Sequence, residues 1–247
     1  SKNQGASGTQ GGGTLTISTL ASQLADSASR AEARDKMLSR SELADKANSL
    51  LDQILGDAYQ ANKAKYNNEV PKTDDPELLA RAKQATEFVT SSDRGSRSVK
   101  NPFGSLSREQ LSNIIYDDSG NYTINERRAA YYESDDREQA WRVKVAAQAM
   151  DEYNRTGKMT NFFSSVLDHF KELPTIEQAQ YPKDYASDLE SKISRDFNYR
   201  THQAEGKGED PKSLIEMLLS SNPEVAKQSD SLLPAAQSNK STAAGVG

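Results

Sequence analysis

Apolar residues recur along this chain with the spacing of helices rather than strands. From Ser39 the positions Leu43, Ala47, Leu50, Ile54 and Ala58 fall three or four apart, which places them on one helical face and predicts an amphipathic helix from 39 to about 67. A second face, Leu78, Ala82, Ala85 and Val89, follows Asp75-Pro76-Glu77. There Asp75 can cap the free amides, and Pro76 sacrifices no hydrogen bond at the first helical position. Further helices are predicted at about 107–116, 125–133, 135–154, 160–172 and 183–199. In the helix at 135–154, Ala140, Val143, Ala147 and Met150 share one face, with Trp141 and Val145 alongside. Alternation with period two is confined to Leu15–Ile17 and Tyr122–Ile124, so the chain reads as all-α, a multi-helix bundle.

Helix starts are marked in nearly the same letters twice, as Leu38-Ser39-Arg40-Ser41-Glu42-Leu43 and as Leu106-Ser107-Arg108-Glu109-Gln110-Leu111. In each, serine accepts from the amide three residues on, and Glu42 or Gln110 reaches back to the serine amide. A leucine on either side staples the turn. Such boxes arise readily from capping chemistry alone and do not require internal duplication.

The ends differ from the middle. Residues 1–13 hold one alanine and no other apolar residue among Gly, Ser and Gln, and residues 220–247 are rich in Ser, Asn, Ala and Pro; both are expected to be disordered tails. The expected organisation is a tail at 1–13, an N-terminal helical segment at 14–90, a linker at 91–104, a C-terminal helical unit at 105–205, and a last stretch at 206–247 with one short helix at 212–219. Composition fits this division. Leu, Ile, Val and Phe make up only 42 of 247 residues and mean hydropathy is −0.83, too little to bury the whole chain but enough for a modest core in the middle.

Charge and chemistry narrow the function classes. The net charge of −5 argues against bulk attraction to nucleic acid or anionic membranes. No apolar run approaches the roughly 20 residues a bilayer requires. With no cysteine, thiol catalysis and Cys-ligated metal sites are excluded. No glycine-rich phosphate loop, nucleophile elbow or zinc-protease motif is present. The two histidines, His169 and His202, would form a site only if the fold joined them to carboxylates. Tyr131, Tyr132 and Trp141 interleave with Arg127, Arg128 and Arg142, but the local acidic excess favours core and interface roles over base stacking.

One segment suggests chemistry. Asp117, Ser119 and Asn121 stand at alternate positions, followed by Thr123, Ile124 and Asn125. Oxygen ligands at alternate positions of a tight loop can converge on one hard cation, and this segment resembles an EF-hand loop. The resemblance implies Ca²⁺ held by Asp117, Ser119, Asn121, Asn125 and the Thr123 carbonyl, with Ile124 pinning the loop. Two positions depart from the pattern. Tyr122 replaces the turn glycine, and Arg128 stands where a bidentate glutamate closes the shell, unless Glu126 or Glu133 substitutes. A second run, Asn154-Arg155-Thr156-Gly157-Lys158-Met159-Thr160, repeats the pattern 37 residues later with Lys158 and Phe162 in place of ligands. EF-hand-like loops occur in such pairs, joined through their short strands, so the resemblance implies a helix–loop–helix pair over about 107–171. The rival reading is two ordinary helical connections, with Gly157 ending the helix before it. The window 107–138 also carries eight acidic against four basic residues, an acidic face for a cation or a basic partner.

The N-terminal Gly/Ser/Gln-rich stretch followed by Leu15, Ile17, Leu20 and Leu24 resembles the leaderless export signals of bacterial type III and flagellar substrates; alternatively these leucines dock a helix onto the core. The expectation is a non-enzymatic, helical bacterial protein acting through a protein partner, cytoplasmic or exported without a leader. A calcium-responsive sensor and an exported effector with a site near His169 are the alternatives.

Overall fold

The computed structural model describes residues 18–206, so the expected tails and the short helix at 212–219 lie outside the described residues, as do Leu15 and Ile17. The protein is all-α. Its helices are α1 (Thr19–Met37), α2 (Arg40–Leu55), α3 (Asp57–Ala61), α4 (Lys63–Asn67), α5 (Pro76–Asp93), α6 (Arg108–Ile115), α7 (Ile124–Thr156), α8 (Thr160–Glu172), α9 (Thr175–Gln178) and α10 (Tyr185–Arg195). A two-residue hairpin follows, β1 (Phe197–Asn198) paired antiparallel with β2 (Gln203–Ala204). Among the described residues no helix is long and apolar enough to cross a membrane.

The chain divides into two compact bodies, 18–143 with 171–182, and 144–170 with 183–206. The expected boundary at 91–104 does not divide it. α5 runs on to Asp93, and the rest of that stretch delivers Phe103 into the core at 2% exposure, positioned by Asn101, whose Oδ1 accepts from the Phe103 amide. A Ser/Gly/Pro-rich composition marks a turn here, not a hinge.

In the first body both capping boxes form as the sequence indicated, Ser39 with Glu42 and Ser107 with Gln110. Asp75 caps α5 through the amides of Glu77 and Leu78. Leu43, Ala47, Leu50 and Ile54 of α2 are buried, as are Leu78, Ala82, Ala85 and Val89 of α5. The expected long helix stops at Leu55, however, and α3 restarts after Gly56, whose extended backbone (φ −80°, ψ −173°) leaves the helical path. The break shifts the phase by one residue. Ala58 is exposed, and Tyr59 is the side chain that enters the core. Leu111, Ile114 and Ile115 of α6, Ala129 and Ala130 of α7, and Ile176 and Ala179 around α9 complete the cluster.

α7 is one helix where two were expected. It contributes residues up to Val143 to the first body and the remainder to the second. The second body packs Phe163 and Leu167 of α8 and Tyr185 and Leu189 of α10 with the hairpin aromatics Phe197 and Tyr199 among its buried residues. Gly157 ends α7 at φ +75°, a conformation that excludes most side chains, and a Cβ there would stand 2.6 Å from Asn198 Oδ1. Lys158 makes its backbone bridge to Asn198, and its ammonium lies between Asp196 and Glu205.

Candidate functional site

The Asp117–Asn125 segment joins α6 to α7, and each of its ligand-type groups has a definite position. Asp117 is buried. Its Oδ2 accepts from Arg30 of α1 through Nε at 3.1 Å and Nη2 at 2.7 Å, and its Oδ1 accepts from the Ser119 amide at 2.8 Å. Ser119 Oγ accepts from the Asn121 amide at 3.2 Å, and the Asn121 carbonyl accepts from Gln23 Nε2 at 3.1 Å. Gly120, not position 122, takes the left-handed turn at φ +82°. Tyr122 is instead a core residue, and burial raises its hydroxyl pKa.

Thr123 caps α7. Its Oγ1 accepts from the Glu126 amide at 3.1 Å while Glu126 Oε1 accepts from the Thr123 amide at 3.0 Å, a third capping box in this body. The other oxygen of Glu126 pairs with Arg81 Nε at 2.6 Å. Burial pushes the Glu126 carboxyl above its ordinary value, against the pull of Arg81. Asn125 is fully buried. Its Oδ1 accepts from the Tyr59 hydroxyl at 2.8 Å, and its Nδ2 faces the Tyr66 carbonyl, Asn67 Oδ1 and Thr86 Oγ1 at 3.0–3.3 Å. The side-chain oxygens of Asp117, Ser119 and Asn125 are therefore turned to protein donors, and a cation at Asp117 would have to displace the Arg30 guanidinium. Among the described residues no group of three or more His, Asp or Glu side chains is placed to hold a metal.

Arg128, the residue that departs from the loop pattern, anchors the turn together with its neighbour Arg127. Arg127 is 3% exposed and donates to the carbonyls of Ile115 and Leu50 at 2.9 Å each and to Gln53 Oε1 at 2.7 Å. Burial lowers its pKa, and Asp117, Asp118 and Glu69 work in the opposite direction. Arg128 donates to the Ile54 carbonyl and to Asp93 Oδ1 and is stacked on Tyr59 and Tyr132. Cations near the start of α7 oppose its own dipole, but they meet the C-terminal parts of α2 and α6, where positive charge is favourable, and the Ile54 and Ile115 carbonyls in the last turns gain donors.

Half of the eight acidic residues of the window meet cations lying outside it. Asp117 meets Arg30, Asp118 meets Lys46 at 2.6 Å, Glu126 meets Arg81, and Asp136 meets Arg97 at 3.3 Å. Within the window Glu133 meets Arg137, and Glu138 meets Arg108, which also holds Glu177. A cavity of about 30 Å³ remains beside Asp117 and Asp118, bordered by Arg30, Arg34 and Lys46. A wider one of about 470 Å³ opens between Phe88, Val99, Tyr132 and Asp135. Neither is lined by a histidine. His202 is exposed with a left-handed backbone at the hairpin, and His169 is half-buried on α8.

Compared with protein-family models, curated proteins and solved structures, the chain matches none of them.

The feature that sequence reasoning left open is the direction in which α7 faces. Ala140, Val143, Ala147 and Met150, which share one face of the expected helix, are exposed, with Val143 at 72% and Met150 at 69%, whereas Val145 alongside them is buried. The covered side of α7 carries Ser134, Glu138, Val145, Ala149 and Glu152. Its carboxylates hold it there. Glu138 pairs with Arg108, and Glu152 accepts from the amides of Asn161 and Phe162 at 2.9 and 3.0 Å, capping α8. Hydrophobic periodicity alone could not have revealed this. The spacing of Glu138 and Glu152, two full heptads, was the available signal.

Proposed function

We propose that this chain is a non-enzymatic helical protein that works by binding a protein partner, and that α7 carries the contact. The observation supporting the reading is the row Ala140, Val143, Ala147 and Met150, which lies exposed along about 15 Å of helix. Single exposed apolar residues are ordinary on any surface, but a row at alternating three- and four-residue intervals is what a partner helix meets in helix-against-helix recognition. Of the other large apolar residues of α7, Ile124, Tyr131, Tyr132, Trp141 and Val145 are at least partly covered and Tyr153 is exposed at 37%, so the row stands out from most of the helix surface.

A photoreactive residue placed at Val143, compared with one at the exposed polar position Gln148, tests the reading in cells that make the protein. The expected result is a discrete protein adduct from position 143 alone, weakened by Met150→Glu. Equal adducts at both positions, or none at 143, would overturn it.

A further inference from the structure

We propose that the partner of the α7 face is a second copy of this chain, paired with it antiparallel. This rests on the reading above and specifies the occupant. From Ala140 the intervals to Val143, Ala147, Met150 and Asn154 are three, four, three and four residues, the heptad spacing that keeps a seam facing one neighbouring helix. Small and large residues alternate along it. When two such seams run antiparallel and are centred between Ala147 and Met150, each Ala147 sits opposite the Met150 of the other copy, and each Val143 opposite the other Asn154.

Charge selects this arrangement. Beside the seam, on one flank, lie Lys144 and Asp151, seven residues apart, while the other flank carries Gln139, Ala146 and Tyr153 and no charge. In the antiparallel register described, Lys144 of each copy meets Asp151 of the other, twice by symmetry. A parallel pair would oppose the charged flank to the uncharged one and gain nothing. An antiparallel pair shifted by one heptad would set Lys144 against Lys144. Both residues are exposed. Among the described residues Lys144 has no ion pair, and Asp151 holds only the solvent-exposed Arg155 four residues on, at 2.9 Å, an attachment of little strength. The seam is short, which places the dimer among transient assemblies.

Sedimentation equilibrium of the full chain from roughly 10 μM to roughly 1 mM tests this. The weight-average mass should rise with concentration from 27.1 kDa toward twice that value. Val143→Glu, Lys144→Glu and Asp151→Lys should each weaken association at least tenfold. The double variant Lys144→Glu/Asp151→Lys should restore it, with helical circular dichroism unchanged throughout. A mass that stays monomeric at every concentration overturns the proposal, as does a dimer indifferent to Val143→Glu or a double variant that fails to recover. A monomeric chain that still gives an adduct of a different protein at position 143 would reject self-pairing and leave the binding reading standing. Loss of both would remove both.

Discussion

The guanidinium carbon of Arg128 stands 4.1 Å from the centre of the Tyr59 ring and 5.0 Å from that of Tyr132. The same side chain donates to the Ile54 carbonyl and to Asp93. One arginine thus closes α2, stacks on α3 and ties α5 to α7. Arg128→Ala should cost about 2–4 kcal/mol in chemical denaturation, because it leaves a buried carbonyl without a donor and Asp93 with one fewer cation. Arg128→Lys should recover only part of this, since an ammonium cannot reproduce the planar fork or the stacking. A loss within 0.5 kcal/mol for the alanine variant would show that the stack contributes little.

Tyr59 and Asn125 form the second anchor. Tyr59→Phe removes the hydroxyl that donates to Asn125 Oδ1 at 2.8 Å and should destabilise by about 1 kcal/mol. Asn125→Ala strands the Tyr59 hydroxyl and three further acceptors, and should cost about 2–3 kcal/mol. A double-mutant cycle should show coupling between the two positions; strict additivity would contradict the geometry.

Two carboxylates give opposite pH dependences. Burial opposes ionisation of Asp93, but Tyr132, Lys63 and Arg128 hold its carboxyl below the ordinary 3.8. Its stabilising share is therefore complete above 3.8 and is lost as pH falls through the lower folded value. Glu126 is pushed above 4.5 by burial, so its share is fullest below 4.5 and declines as pH rises through the folded value. The stability difference between wild type and Asp93→Asn should shrink on acidification below about pH 4. Glu126→Gln should gain on wild type as pH rises from about 4. Parallel stability curves for wild type and both variants would show that neither group titrates as its surroundings imply.

Calcium is the direct test of the loop. With Asp117 paired to Arg30 and Asn125 to Tyr59, titration with Ca²⁺ up to millimolar concentration should release no saturable heat from the wild type. A saturable heat that Asp117→Ala abolishes would instead establish the calcium-responsive alternative.

How much of this was legible in the sequence depends on what each residue's role required. Caps are local, and Ser39, Asp75 and Ser107 could be read from a few neighbouring letters. The core face of α2 was legible up to Ile54 and lost at Gly56, where one backbone turn moved the burial from Ala58 to Tyr59. The direction of the α7 face was not legible, because periodicity groups apolar residues on one face but does not say which side a neighbour covers. Here Glu138 and Glu152 are covered, each held by a specific partner on another helix that only the tertiary fold brings near. The same holds at the loop. Asp117, Ser119 and Asn125 carry the letters of a cation site, yet their partners Arg30 and Tyr59 lie 87 and 66 residues away, beyond what motif spacing can register.

Long separation also governs how the protein can be cut. Arg127 and Arg128 complete the end of α2 from more than 70 residues downstream. A fragment stopping at residue 104 would keep α2, α3 and α5 but lose the donor to the Ile54 carbonyl, the second donor to the Leu50 carbonyl and the acceptor for the Tyr59 hydroxyl. Such a piece should behave as a fluctuating helical ensemble, and the amides in the last turn of α2 should exchange with solvent in step with those in the first turn of α7. The arginine pair makes the first body indivisible.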